Sequence, residues 1–369
     1  MKTVCKFNQC AGCKACVDIC KKNAISIVDS LSAMNASINE NLCVNCGACE
    51  KVCPNNNVLK MKPPKEWYQG WVDATRKTSS SGGVAAGLMK SFIENGGYVA
   101  ACLFQNGEFV FDITNDLNYA KRFSGSKYVK SNPQSIYEKV AEKIRAGNKV
   151  MFVGLPCQVS AMKNYIKNGD NLYTVDLICH GSPSPQILNR FLHENNMDIQ
   201  SISELKFRNK EEYGLQSGYR RISFDGESDL YTFAFMASLD YTENCYSCHY
   251  ATLDRVSDIT LGDSWGSELD VEEQKKGISL ILCQTEKGKE LLENTKIELR
   301  NVDLNKAIEA NHQLSRPSEM PTERKIFFRN IDKGFYRAIA RCHPKMYFIR
   351  RLKYILHKAK NFGRGLQKQ

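Results

Sequence analysis

Long apolar runs are missing from this 369-residue chain. No stretch of 18 apolar residues occurs, so no membrane-spanning helix is expected. An export signal is missing as well: Met1 to Gln9 has no apolar core, which places the expected protein in the cytoplasm. Disulfides rarely persist there, so the 16 cysteines point to metal instead. Acidic residues are absent after Asp332, whereas residues 333–369 hold eleven Lys or Arg. That segment accounts for the whole net charge of +11, and residues 1–332 are neutral. A neutral main body gives no reason to expect a nucleic-acid partner. What remains is an ordinary globular composition, 42% hydrophobic and 25% charged, with length enough for two or three domains.

The cysteines begin with two matching runs. Cys10-x2-Cys13-x2-Cys16-x3-Cys20 is followed, 33 residues on, by Cys43-x2-Cys46-x2-Cys49-x3-Cys53 and Pro54. Two-residue gaps wrap three thiolates around one face of an iron–sulfur cubane. The fourth thiolate, one helical turn later, points away and ligates the other cluster. Cys10, Cys13, Cys16 and Cys53 would hold one 4Fe–4S cluster, and Cys43, Cys46, Cys49 and Cys20 a second. Zinc sites favour separated C-x2-C pairs and match these runs poorly. Residues 1–62 thus resemble the bacterial two-cluster ferredoxins. Lys21 stands where the first run would carry its Pro, which leaves all eight ligands in place.

Residues 55–66 read as a linker, because Pro63-Pro64 disfavours helix and sheet. A Ser-Gly stretch, Ser79-Ser80-Ser81-Gly82-Gly83, then leads into the helical pattern VAAGLMKSFIENG. Such a loop either caps the helix or cradles an anion. Tyr98 to Phe104 and Phe109 to Ile113 form an expected hairpin around Asn106-Gly107. Pro133 to Ala146 is an expected amphipathic helix.

Two apolar strands, Lys149 to Val153 and Asn171 to Ile178, flank a crossover helix and run into Cys157 and Cys179. Ligands of open α/β sheets gather at the carboxyl ends of strands. Cys245-x2-Cys248 lies just before DITLGDSWG, residues 258–266. Cys157, Cys179, Cys245 and Cys248 could form a third four-thiolate site, although the C-x2-C pair alone fits half a zinc site equally well, and isolated cysteines are commonly buried small hydrophobes. Cys102 and Cys283 fall inside apolar strands, and Cys5 and Cys342 have no evident partner.

The ordered set SSSGG (79–83), GSKYVKS (125–131), GLPCQ (154–158), CHGSPSP (179–185), CYSCHY (245–250) and DITLGDSWG (258–266) resembles the β-subunit family of coenzyme F420-reducing hydrogenases and dehydrogenases. That family also includes chloroplast 7-hydroxymethyl chlorophyll a reductase. The resemblance spans residues 66–310. It implies an α/β module (α+β for the whole chain) that carries FAD beside a third 4Fe–4S cluster, held by Cys157, Cys179, Cys245 and Cys248. It makes Ser80, Ser81, Gly82, Gly83 and Lys127 flavin-contact candidates and His180 a candidate proton donor. Asp263 and Trp265 are expected to fix the loop after the 258–262 strand.

The expected organisation is therefore a ferredoxin domain at 1–62, the flavin module in parts 66–150 and 151–310, and a basic amphipathic helix at 333–369. In that tail Phe348, Ile349, Leu352, Ile355 and Leu356 recur at helical spacing, which suits an anionic membrane surface, an acidic partner, or packing on the domain. The expected activity is an iron–sulfur flavoprotein oxidoreductase. It would take electrons from a redox partner protein or reduced ferredoxin and pass them through FAD to a small-molecule substrate. Bacterial relatives of this layout occur in surface-polysaccharide gene neighbourhoods. The alternative is a non-catalytic electron-transfer subunit docked on a separate redox enzyme.

Overall fold

The computed structural model describes residues 1–366 apart from 168, 209, 211–212, 219 and 223–228. At the N-terminus, β1 (Ile25–Asp29) and β2 (Met34–Ile38) form an antiparallel ribbon. It backs two five-residue helices, Ala15–Ile19 and Ala48–Val52. These helices repeat at the offset of the cysteine runs. The loops before them repeat too, with positive φ at Gly12 and Lys14 in one half and at Asn45 and Gly47 in the other.

The rest of the chain is built on one eight-stranded sheet. Its strands are β3 (Glu66–Trp71), β4 (Tyr98–Gln105), β5 (Glu108–Thr114), β6 (Val150–Gly154), β7 (Leu172–Leu177), β11 (Ile259–Asp263), β12 (Ser279–Cys283) and β13 (Glu298–Arg300). They lie in the order β13-β3-β12-β11-β7-β6-β4-β5. The inner four, β4, β6, β7 and β11, are parallel, and antiparallel strands flank them on both sides. The expected hairpin is present, with Asn106 and Gly107 both at positive φ, as a type I′ turn requires. The sheet runs through both expected halves of the module, so 66–150 and 151–310 share one frame. The expected linker gives way to strand at Glu66, and β3 is buried at its far end by Gly70 and Trp71. A smaller sheet holds β8 (Leu205–Arg208), β9 (Tyr213–Ser217) and β10 (Arg220–Arg221).

One face of the large sheet carries Leu88 and Phe92 of helix Val84–Glu94 with Leu291 and Leu292 of helix Glu286–Glu293. The other carries Tyr137 and Val140 of helix Ile136–Arg145 and Val159 of helix Pro156–Tyr165. The iron-binding domain packs on that second face, since Ala15, Ile25 and Val52 share the same core. Three buried hydroxyls or ammoniums stitch this seam. Tyr137 donates to Cys13 O at 2.6 Å, Tyr250 to Pro54 O at 2.8 Å, and Lys130 to Ala11 O at 3.1 Å.

The basic tail is not one helix. Phe335–Cys342 belongs to the body, with Phe335, Ala338 and Ile339 fully buried against Phe191 and Tyr231. After His343 a second helix, Pro344–Leu366, runs outward and exposes Phe348, Ile349, Leu352, Ile355 and Leu356. Both helices carry an apolar stripe: that of Phe335–Cys342 is packed in the core, and that of the helix from Pro344 is exposed. Residues 367–369 of the expected tail lie outside the described residues. Among the described residues no helix is long and apolar enough to cross a membrane.

One buried acid beside that core has a testable consequence. Asp240 is fully buried, and neither carboxylate oxygen has a hydrogen-bond partner among the described residues. Burial pushes it up to about 8, against a smaller opposing pull from Arg324. The folded chain then holds a proton between pH ~4 and 8 that the unfolded chain has lost. This contribution to stability is present at low pH and disappears as pH rises through 8. Asp240→Asn should therefore melt higher than the unaltered chain at pH 9 and match it more closely at pH 5. Melting curves with the same offset at both pH values would refute the assignment.

Candidate metal centres

The cysteines of the two N-terminal runs lie close enough to influence one another. Burial pushes the Cys13 thiol up, and the neighbouring charges of Cys16, Cys10 and Cys53 push it further. Cys16 is raised by burial and then by Cys10, Cys53 and Cys49, and Cys49 is raised by burial with Cys20 among its neighbours. Backbone amides turn toward the sulfurs: Gly12 N to Cys10 Sγ, Ala24 N to Cys20 Sγ and Asn45 N to Cys43 Sγ, each 3.4 Å. Such bonds favour thiolate and help set cluster potential. The two sets differ in depth. Cys10, Cys13, Cys16 and Cys53 are buried, Cys20, Cys43 and Cys49 half-buried, and Cys46 exposed.

Cys5 sits between Cys10 and Cys53, and its hydrogen bonds to them lower both, bringing Cys53 to about 7. No spacing signal marks Cys5, because it lies outside the repeat. Cys102 and Cys283 lie in β4 and β12 as expected, and Cys342 donates to Glu323 O at 3.4 Å.

Cys157, Cys179, Cys245 and Cys248 line one small, partly open cavity. Cys157 opens helix Pro156–Tyr165 just beyond β6, and Cys179 follows β7 by two residues. The parallel register Gly154↔Asp176 sets these strand ends side by side. The Cys245–Cys248 loop is sutured to the Cys179 loop through Thr242 N to Ser182 O at 3.2 Å and the Pro183↔Tyr241 bridge. Gly181 permits the approach, since a Cβ there would meet the Tyr241 ring at 2.3 Å. Burial pushes Cys179 up to about 12 and Cys157 well above the usual thiol range. Loading such a site with metal therefore releases protons.

Whether a cluster suits this cavity can be judged from its walls. Arg255 lines it at 1% exposure, and its Nε and Nη2 have no hydrogen-bond partner among the described residues. Its nearest carboxylate, Asp176, is 4.0 Å from Nη1. Orphaned donors beside four thiols fit an anionic, sulfide-bearing group. Among the described residues no three His, Cys, Asp or Glu side chains gather as they would around a single ion. Zinc draws its sulfurs to about 2.3 Å from one centre, whereas cubane ligands bind separate irons.

His180 lines the same cavity. Its Nδ1 lies 2.8 Å from Gln313 Nε2, which also reaches His312 Nε2 at 2.8 Å. Burial, and then His312, lower His180 to about 4. The flavin-contact candidates form two loops joined by Ser126 N to Ser80 Oγ at 3.3 Å. Ser81 Oγ donates to Ile278 O at 2.9 Å, and Lys127 Nζ donates to Phe123 O and Ser124 O at 2.7 and 3.1 Å. Gly82 is needed for packing, as a Cβ would meet Gly70 O at 2.4 Å. Gly83, at positive φ, opens helix Val84–Glu94 with no side-chain cap. Beside these loops stand Lys210, donating to Ser81 O at 3.4 Å, and Arg208, paired with Asp263 at 2.5 Å and stacked over Tyr213. Arg208 Nε is a second orphaned buried donor. Asp263 holds Arg208, and Trp265 is half-exposed beyond it.

Residues 147–305 match the family described as the C terminus of the coenzyme F420 hydrogenase/dehydrogenase beta subunit, and residues 9–57 match the 4Fe-4S dicluster domain. No curated protein matches the chain. Among solved structures, a chain of the F420-reducing [NiFe] hydrogenase complex from Methanosarcina barkeri aligns at 19% identity with a TM-score of 0.48, covering 75% of this chain and 97% of that one. The chain thus carries one segment similar to the 4Fe–4S dicluster domain and another similar to the C terminus of the coenzyme F420 hydrogenase/dehydrogenase β subunit, which makes it an iron–sulfur protein related to those electron-transfer subunits.

Proposed function

We propose that the chain is an iron–sulfur flavoprotein oxidoreductase with three 4Fe–4S centres in line and an FAD beyond them. The observation that carries this reading is the cavity where Cys157, Cys179, Cys245 and Cys248 meet beside orphaned Arg255. When bound, the clusters supply one-electron storage and the flavin converts single electrons to pairs. The chain's own residues set the order. Exposed Cys46 puts the outer centre at the surface, where a partner protein can reach it. The buried set of Cys10, Cys13, Cys16 and Cys53 lies inward, and Cys13 neighbours Cys157 across the domain seam. The flavin would be held by Ser80, Ser81, the amides at Gly82 and Gly83, and the basic Arg208 and Lys210, with Lys127 stiffening its loop from within. His180 lines the third cage. As a neutral imidazole it serves as a hydrogen-bonding wall and a route for protons rather than a store of them. The substrate is a small organic acceptor, and the exposed helix from Pro344 suits an anionic membrane surface or acidic partner.

Anaerobic purification should yield about 12 irons and one FAD per chain. About eight irons without flavin would reduce the chain to a two-cluster electron carrier, and turnover found only in a stable complex would favour the electron-transfer subunit.

A further inference from the structure

Lys130 is buried at 7% exposure with a single side-chain hydrogen bond, to Ala11 O at 3.1 Å, and no carboxylate within ion-pair distance among the described residues. Burying an ammonium without a counter-ion is costly, so an anionic neighbour is implied. Two stand ready. On one side the lysine stem lies over Gly12, where a Cβ would meet Lys130 Cδ at 3.3 Å, and Gly12 N bonds Cys10 Sγ. On the other, Lys130 lines the cavity of Cys157, Cys179, Cys245 and Cys248. The backbone is fixed from both directions: Lys130 N donates to Pro183 O at 3.0 Å, near Cys179, and Ser131 Oγ accepts from Gln158 Nε2 at 2.9 Å, beside Cys157. The same cavity is also lined by Arg255, by the imidazoles of His180 and His249, and by neutral polar side chains such as Asn55 and Asn244, none of them a carboxylate.

We propose that Lys130 is a positioning residue shared by the inner N-terminal centre and the third centre, a fixed positive charge between them that raises both reduction potentials together. This rests on the reading of the four-cysteine cavity as a 4Fe–4S site. Net charge near a cluster is one of the levers on its potential, and it acts strongly where water is excluded. With clusters bound, transfer between them would oxidise one centre and reduce the other by one electron, and Lys130 would take part by its charge alone, exchanging no bond or proton. A cation placed between the two steadies the electron on either side, so neither centre becomes a trap.

The test is Lys130→Met in the full chain, purified anaerobically, with iron and sulfide counted before a potentiometric titration followed by electron paramagnetic resonance. Iron should stay at about 12. The inner and third centres should move to more negative potentials by at least tenfold in their reduction equilibrium, about 59 mV each, while the outer centre stays in place. Three unmoved potentials at full iron, or an equal shift of all three, would overturn the proposal. If the Met variant sheds iron, Lys130→Arg and Lys130→Gln decide the matter. Iron retained in the Arg variant alone supports a charge role, and equal loss in both makes Lys130 a packing residue. Eight irons in the unaltered chain would remove the third centre itself, a failure of the underlying reading visible before Lys130 is touched.

Discussion

Cys248→Ala should lower the iron content from about twelve to about eight atoms per chain, leaving the signals of the N-terminal pair in place. Three reasons make the loss complete rather than partial. The four thiols of the cavity come from three separate loops, so no spare cysteine can step in. Cys5 is engaged with Cys10 and Cys53 and does not line the cavity, and Cys102 and Cys283 are held in strands. Without the proposed cluster, buried Arg255 keeps its Nε and Nη2 unpartnered, which works against any three-ligand remnant. Cys283→Ala is the control, because its thiol bonds Thr285 O away from the cavity. Iron unchanged in Cys248→Ala, or an equal drop in the control, would sink the assignment.

Asp258→Ala carries the largest expected effect on stability. The carboxylate is almost fully buried and accepts from Thr174 N at 2.7 Å, Thr174 Oγ1 at 2.6 Å and Thr285 Oγ1 at 2.8 Å, with Lys163 at 3.8 Å. It ties the start of β11 to the middle of β7, the strand that delivers Cys179. Each donor stranded in the interior costs about 1–3 kcal/mol, so a loss of about 4 kcal/mol is expected, near the top of the range for single substitutions. Denaturant midpoints should show it, and Thr174→Val in the same background should add much less than it does alone. A midpoint within error of the unaltered chain, or full additivity with Thr174→Val, would contradict this account.

What could be read before the fold was known follows from chemistry that dictates both residue type and spacing. Cubane ligation demands thiolates at fixed intervals, so the eight N-terminal cysteines are legible from their spacing. The parallel β6–helix–β7 unit was legible because two apolar runs bracket a helical pattern, and it carried Cys157 and Cys179 to neighbouring strand ends. The buried cations left no such trace. In GSKYVKS attention fell on Lys127, yet Lys127 closes its own loop and Lys130 is the lysine that reaches the cysteines. Arg255 sits among polar residues in LDRVSD, where nothing in the pattern separates a buried Arg from a solvated one. The tail misled in a different way. Phe335, Ala338, Ile339 and Cys342 form an apolar stripe as regular as the one after Pro344, and only packing against Phe191 distinguishes core from surface.

The seam between the iron-binding domain and the sheet also carries a timetable. Tyr137 closes on Cys13, Tyr250 on Pro54 and Lys130 on Ala11, and behind these contacts lie both the inner cysteine set and the third cage. In the proposed reading iron and sulfide must reach those eight cysteines while the seam is open. The outer set, with exposed Cys46, can be filled or repaired after closure. That reading makes the docking of the two domains and the filling of the inner cysteines one coupled event.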